Sequence, residues 1–188
     1  MHKRMAVAAV AALVACGGGS SWTDPTTGSF NAQDSAEVMG MVSGAFSAAL
    51  QRQAGPQTPA QPGAALTETV SVTQSCAVSG SVSVNGSMDS SCSPSGACGF
   101  SGTLNLALAS CSNGNGYVGD GGLSITASGS TSSTAISLRE TIQGGITVTH
   151  DGTTIGTCGI NVTVDLSSDG VTETVHLNGT ICRQPVVQ

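Results

Sequence analysis

The amino-acid sequence predicts a mainly β protein of the α+β kind. The expected architecture is an antiparallel meander of about six long strands, forming a curved sheet or partly closed barrel, with one N-terminal amphipathic helix packed on its apolar face. Three observations predict it. From Leu66 onward, apolar residues recur at every second position, which puts them on one face of extended strands. Between residues 34 and 54 they recur instead at intervals of three and four, the helical spacing. Asp-Gly pairs separate two of the alternating runs, and such pairs accept the positive φ that tight antiparallel hairpins require.

Each element follows in chain order. Residues 16–33 are rich in Gly, Ser and Thr, a composition that predicts a flexible tether, with Phe30 and Trp22 isolated in it. Trp22 has two readings, an interfacial residue at the lipid headgroup level or an incidental tether residue. In the helix at 34–54, Val38, Met41, Val42, Ala45, Phe46, Ala49 and Leu50 make one apolar stripe. Asp34 is placed to cap its amino end and Glu37 to bond back, while Gly55 and Pro56 end it. Gly40 and Gly44 lie one turn apart and predict a closely approaching neighbour, at a cost of about 1 kcal/mol each in helix propensity. Residues 55–65, with Pro56, Pro59 and Pro62, read as a linker.

The β domain is expected over 66–188. Leu66, Val70, Val72, Cys76, Val78, Val82, Val84 and Met88 share one phase, and Cys98, Phe100, Leu104, Leu106 and Leu108 follow in another run. Leu123, Ile125 and Ala127 make a shorter strand. Ile136 to Val148 keep one phase through Gly144-Gly145, which predicts one long strand kinked at its glycines. Ile160 to Leu166 and Val171 to Ile181 complete the set. A two-residue turn at Asp169-Gly170 places Val164 opposite Val175 and Glu173 opposite Leu166. A turn at Asp151-Gly152 pairs Val148 with Ile155, but the apolar phase then jumps to Cys158 and Ile160, so a bulge is expected near Gly156.

With 188 residues, 9% charged and 3% aromatic, the chain is long enough for one domain, and a net charge of -6 argues against nucleic acid as a partner. The 26 glycines do not signal disorder, because charge is low and Val, Leu and Ile keep recurring. Residues 1–15 pair a short basic start with an apolar run too short to span a bilayer, the pattern of an export signal peptide. The run ends in Leu13-Val14-Ala15-Cys16, which resembles the lipobox of bacterial lipoproteins. That resemblance implies lipidation of Cys16, removal of residues 1–15 and a membrane anchor without a spanning helix. It also implies location in a bacterial cell envelope. Gly17, rather than Asp, follows the cysteine, which implies outer-membrane sorting if the cell has an outer membrane. The chain from Cys16 onward then carries 3 basic and 11 acidic residues and no lysine.

Of seven cysteines, six remain once Cys16 is set aside as the lipid acceptor: Cys76, Cys92, Cys98, Cys111, Cys158 and Cys182. An even set in an exported chain predicts three disulfides. Cys92 and Cys98 bracket one hairpin loop, so a local bridge is expected there. Six cysteines allow 15 connectivities and the sequence alone does not choose among them; if that hairpin is regular, Cys76 comes near Cys111 and Cys158 is left with Cys182, a pair that needs a local distortion because Cys182 points away from the face of Cys158.

Chemistry-bearing motifs are sparse. There is no Cys-x-x-Cys, and His150 and His176 lie on different strands, so no metal site is expected. Either histidine can serve as a general base, but no Gly-x-Ser-x-Gly accompanies them, and the simpler reading is a solvated strand histidine. Glu140 and Glu173 fall in phase with apolar residues; a buried carboxylate there can have a raised pKa, and a place at a sheet end or kink is the simpler reading. The loop 113–122 supplies too few carboxylates for calcium. Three Asn-x-Ser/Thr triplets read as chance in Ser/Thr-rich strands. No cofactor is implied, and no enzyme. The expectation is a lipid-anchored envelope protein with a structural or binding role, its polar sheet face or loops meeting an envelope protein or other partner. The alternative is a carrier holding an apolar ligand or lipid between helix and sheet.

Overall fold

The computed structural model describes residues 22–53 and 65–187, with the backbone alone at 45, 46 and 48–53. The segment read as a signal peptide, Cys16, the first residues read as tether and most of the expected linker lie outside the described residues. One helix, α1 (Ala32–Gln53), precedes eight strands: β1 (Ala65–Ser75), β2 (Ser79–Cys92), β3 (Cys98–Ser112), β4 (Tyr117–Thr131), β5 (Ile136–His150), β6 (Thr153–Ser168), β7 (Glu173–Ile181) and β8 (Gln184–Val187). They form one antiparallel sheet in sequential order, so the meander is observed.

Eight strands replace the six expected, and the reason is parity. The run from Leu66 to Met88 is two strands joined by a tight turn at 76–78, where Cys76 N–H donates to Gly80 O (3.2 Å). The pairing Val72 to Val84 keeps even residues facing even residues, so the alternation passes through the turn without a break. The eighth strand, Gln184–Val187, is too short and carries too little alternation to read. The sheet is open, so the expected partly closed barrel does not form: β1 and β8 do not pair. Closure would need β1 to pair with β8, and four residues cannot match eleven.

The hairpins report both agreement and correction. Asp151 and Gly152 both have positive φ (48° and 78°), as a two-residue turn demands. Val148 then pairs with Gly156 while Thr149 pairs with Thr154, so Ile155 is the extra residue of the expected bulge. At the last hairpin the expected register fails: Val164 pairs with Leu177 and Leu166 with Val175. The turn is four residues long because the Asp169 carboxylate accepts from Val171 N–H (2.9 Å) and Thr172 N–H (2.7 Å), closing an Asx turn. Those bonds hold the Asp169 carboxyl below its usual range. The slip of two residues leaves every side chain on its expected face.

Three disulfides join the six cysteines: Cys76–Cys111, Cys92–Cys98 and Cys158–Cys182. The last pair carries the anticipated distortion, since Cys182 and Arg183 adopt positive φ (49° and 66°) at the β7–β8 turn.

Helix α1 begins earlier than expected. Asn31 is the cap: its Oδ1 accepts Asp34 N–H and its own N–H donates to Asp34 Oδ2, both at 2.9 Å. Asp34 thus takes the role expected of Glu37. Val38, Met41 and Val42 bury fully against β1–β4, in one core with Val84, Leu106, Ile125, Ile146 and Ile160. Gly40 and Gly44 face open space, so the expected close approach is absent and only their helix cost remains.

Residues 24–30, read from sequence as tether, are held on the sheet as a strap. Beyond the end of β7 the edge of β6 is free, and Thr27 fills it: its N–H donates to Thr157 O (2.9 Å) while its Oγ1 accepts from Thr157 N–H (3.1 Å). Thr26 Oγ1 accepts from Gly159 N–H (2.9 Å), and Arg183 donates to Thr26 O (2.6 Å). Pro25 crosses the polar face where Gly122, Gly145 and Gly159 stand side by side on three strands. A Cβ at Gly159 would overlap Asp24 Oδ1 and stand 2.8 Å from Pro25 Cδ and Thr26 Oγ1. Gly159→Val is therefore expected to detach the strap, measured as fast amide exchange at Thr27 with the remaining sheet protected.

Candidate functional site

The face opposite α1 is built by the second phase of each strand, and the pairing lines its side chains into transverse rows. One row runs Thr69, Ser87, Thr103, Thr126, Thr141, Thr163 and Asn178. The next toward the helix end runs Ser71, Asn85, Asn105, Ser124, Gln143, Asn161 and Thr180. Cross-strand bonds tie neighbours together: Ser71 Oγ to Asn85 Oδ1 (2.9 Å) and Gln143 Nε2 to Asn161 Oδ1 (3.0 Å). Alternation produces these rows because Ser and Thr occupy the solvent phase of strand after strand.

The third row holds the charges: Thr67, Asp89, Ser101, Ser128, Arg139, Asp165 and His176. Arg139 stands 3.6 Å from Asp165, with both side chains well exposed, so the pair orients its groups more than it stabilises the fold. Two shallow depressions of about 370 and 320 Å³ open on this face. Ser128 and Arg139 line both, so the two depressions lie side by side and together reach from β3 to β7.

The histidines singled out from sequence are not brought together. His176 is exposed opposite Asp165. His150 lies at the helix end, stacked on Tyr117 with ring centroids 4.1 Å apart and 3.6 Å from Asp151. Glu140 is half-buried on the apolar side between Ala127 and Val164, and burial pushes its carboxyl up. Glu173 is exposed opposite Ser168, not Leu166, because of the register slip. Among the described residues no group of three or more His, Cys, Asp and Glu side chains is placed to hold a metal.

The loop read as 113–122 is shorter: β4 already begins at Tyr117. Asn113 and Asn115 donate to the Glu37 carboxylate (2.6 and 3.1 Å), tying the loop to α1. Sequence reasoning missed Tyr117, the one tyrosine, whose hydroxyl donates to Asp34 Oδ1 at 2.8 Å in a buried bond. The signal was present, since Tyr117 shares the odd phase of Leu123 and Ile125, but the surrounding glycines disguised it as loop. That bond, with burial and the nearby acidic charges, pushes the Tyr117 hydroxyl up to about 12. Comparison with family models, curated proteins and solved structures returned no match for this chain.

Proposed function

We propose that the protein is a lipid-anchored envelope protein with a non-catalytic binding role, and that the polar sheet face meets the partner. One observation carries the binding surface: hydroxyl and amide side chains stand in rows over seven strands, and both depressions open on that face. A nucleophile-and-base arrangement is not what the histidines and Glu140 offer, since each sits in a separate environment. The anchor rests on the likeness of Leu13-Val14-Ala15-Cys16 to a lipobox, and Gly17 favours the outer membrane where one exists. Pro25 lies on the polar face, so a lipid nine residues away at Cys16 reaches no more than about 30 Å from it.

Two measurements test this reading. Radiolabelled palmitate is expected in the wild type and not in Cys16→Ser; equal labelling removes the anchor. A photoreactive residue replacing exposed Ser124 is expected to form an adduct in the intact envelope, while one replacing Val171, on an exposed turn, is not. Absence of any adduct at Ser124 removes the polar face as the binding surface.

A further inference from the structure

Resting on that reading of the polar face, we infer that its occupant is a neutral polyhydroxylated chain, a polysaccharide strand, laid transversely from β3 to β7 over the rows of Thr103 and Ser101. The chemistry of the face selects this class. A hydroxyl both donates and accepts, so Thr103, Thr141 and Ser128 can each answer a sugar hydroxyl in either sense, while Thr126, whose hydroxyl donates to Thr141 O (3.5 Å), offers its oxygen as an acceptor. Arg139 and Asp165 add a forked donor beside a carboxylate acceptor, 3.6 Å apart, a pairing suited to two adjacent hydroxyls of one sugar ring. The two charges cancel locally, so the track offers a polyanion no field to follow.

A protein partner fits less well. Protein interfaces place aromatic or large aliphatic anchors in a desolvated centre, and the rows from Ser101 and Thr103 to His176 and Asn178 carry none. Geometry agrees with an extended polymer. Four strand spacings of about 4.8 Å make the track about 19 Å long, and the hydroxyl groups recur along it at close to the length of one β-linked sugar unit. Ser128 and Arg139 line both depressions, so one extended chain can touch the two in succession.

The test uses the full chain on microcrystalline cellulose, chitin and mannan. Retention on at least one is expected, and unchanged at about 1 M salt, where charge attraction reaches only about 3 Å. The variant Thr103→Val, Thr126→Val and Thr141→Val removes three hydroxyls while keeping β-branched shape, so the melting temperature should hold while retention falls by about tenfold or more. Thr73→Val, at the far edge of the same face, should bind as the wild type does. No retention on any of the three, or equal retention by the triple variant, overturns the inference. An adduct at position 124 that proves to be a protein overturns the polysaccharide and leaves the polar face as a binding surface; no adduct there overturns both.

Discussion

Replacing Cys158 and Cys182 together by alanine is expected to lower the unfolding free energy by about 3–5 kcal/mol. The bond closes a loop with a sequence separation of 24, which by chain entropy alone contributes about 3.5 kcal/mol. Two further losses add to it. Both cysteines are buried, so alanine leaves a void at the core edge. The disulfide also holds the β7–β8 turn, whose positive φ at Cys182 and Arg183 is strained for side-chain-bearing residues. From that turn Cys182 N–H reaches Gly159 O (2.7 Å) and Arg183 reaches Thr26 O, so the strap should loosen as well. Removing Cys92–Cys98 instead should cost only about 2 kcal/mol, because its sequence separation is 6 and its hairpin tip is exposed. Urea titration of the two double variants checks the order; equal midpoints would contradict it.

Tyr117→Phe is expected to cost about 1.5–3 kcal/mol at neutral pH, because a buried bond to an acidic side chain is lost and Asp34 keeps only its Asn31 partner. The same variant should change the pH profile. Tyr117 has its pKa raised to about 12 in the folded chain against 10.0 for the free side chain, through the Asp34 bond first and burial second. A raised pKa contributes stability that is complete below pH 10 and lost as pH rises toward about 12, since the unfolded chain releases the proton first. Few other groups compete in that window: the sequence has one tyrosine, its single lysine is Lys3, in the segment expected to be a signal peptide, and the six cysteines from Cys76 onward are paired. The wild type should therefore lose melting temperature between pH 10 and 12 by more than Tyr117→Phe does. Parallel profiles would refute the assignment.

Much of this molecule was legible in its residues because alternation is a local property. The one-sided faces and the bulge at Ile155 follow from counting in twos between turns, whereas the Cys158–Cys182 pair runs against that count and forms only through the positive φ at Cys182. Errors arose where counting in twos is blind. A turn that preserves parity, as at 76–78, hides a strand boundary, and a slip of two residues, as at Asp169, leaves every face unchanged. The polar face as a candidate surface was readable from its Ser and Thr content, but its rows were not. Which threonine stands beside which depends on the register of each of the ladders, and an error in one displaces all that follow.

The sequence by itself determined a β-dominant chain with one helix, a paired set of cysteines and an apolar and a polar side to every strand. Tertiary structure alone decided that Thr26 and Thr27 bond along the free edge of β6, that Asn31 and not Asp34 caps the helix, and that Tyr117 reaches Asp34 across 83 positions of sequence. The physical reason is range. Periodicity and turn chemistry act over a few residues, whereas a strap, a buried hydrogen bond and a transverse row each join segments whose proximity exists only after the sheet has formed.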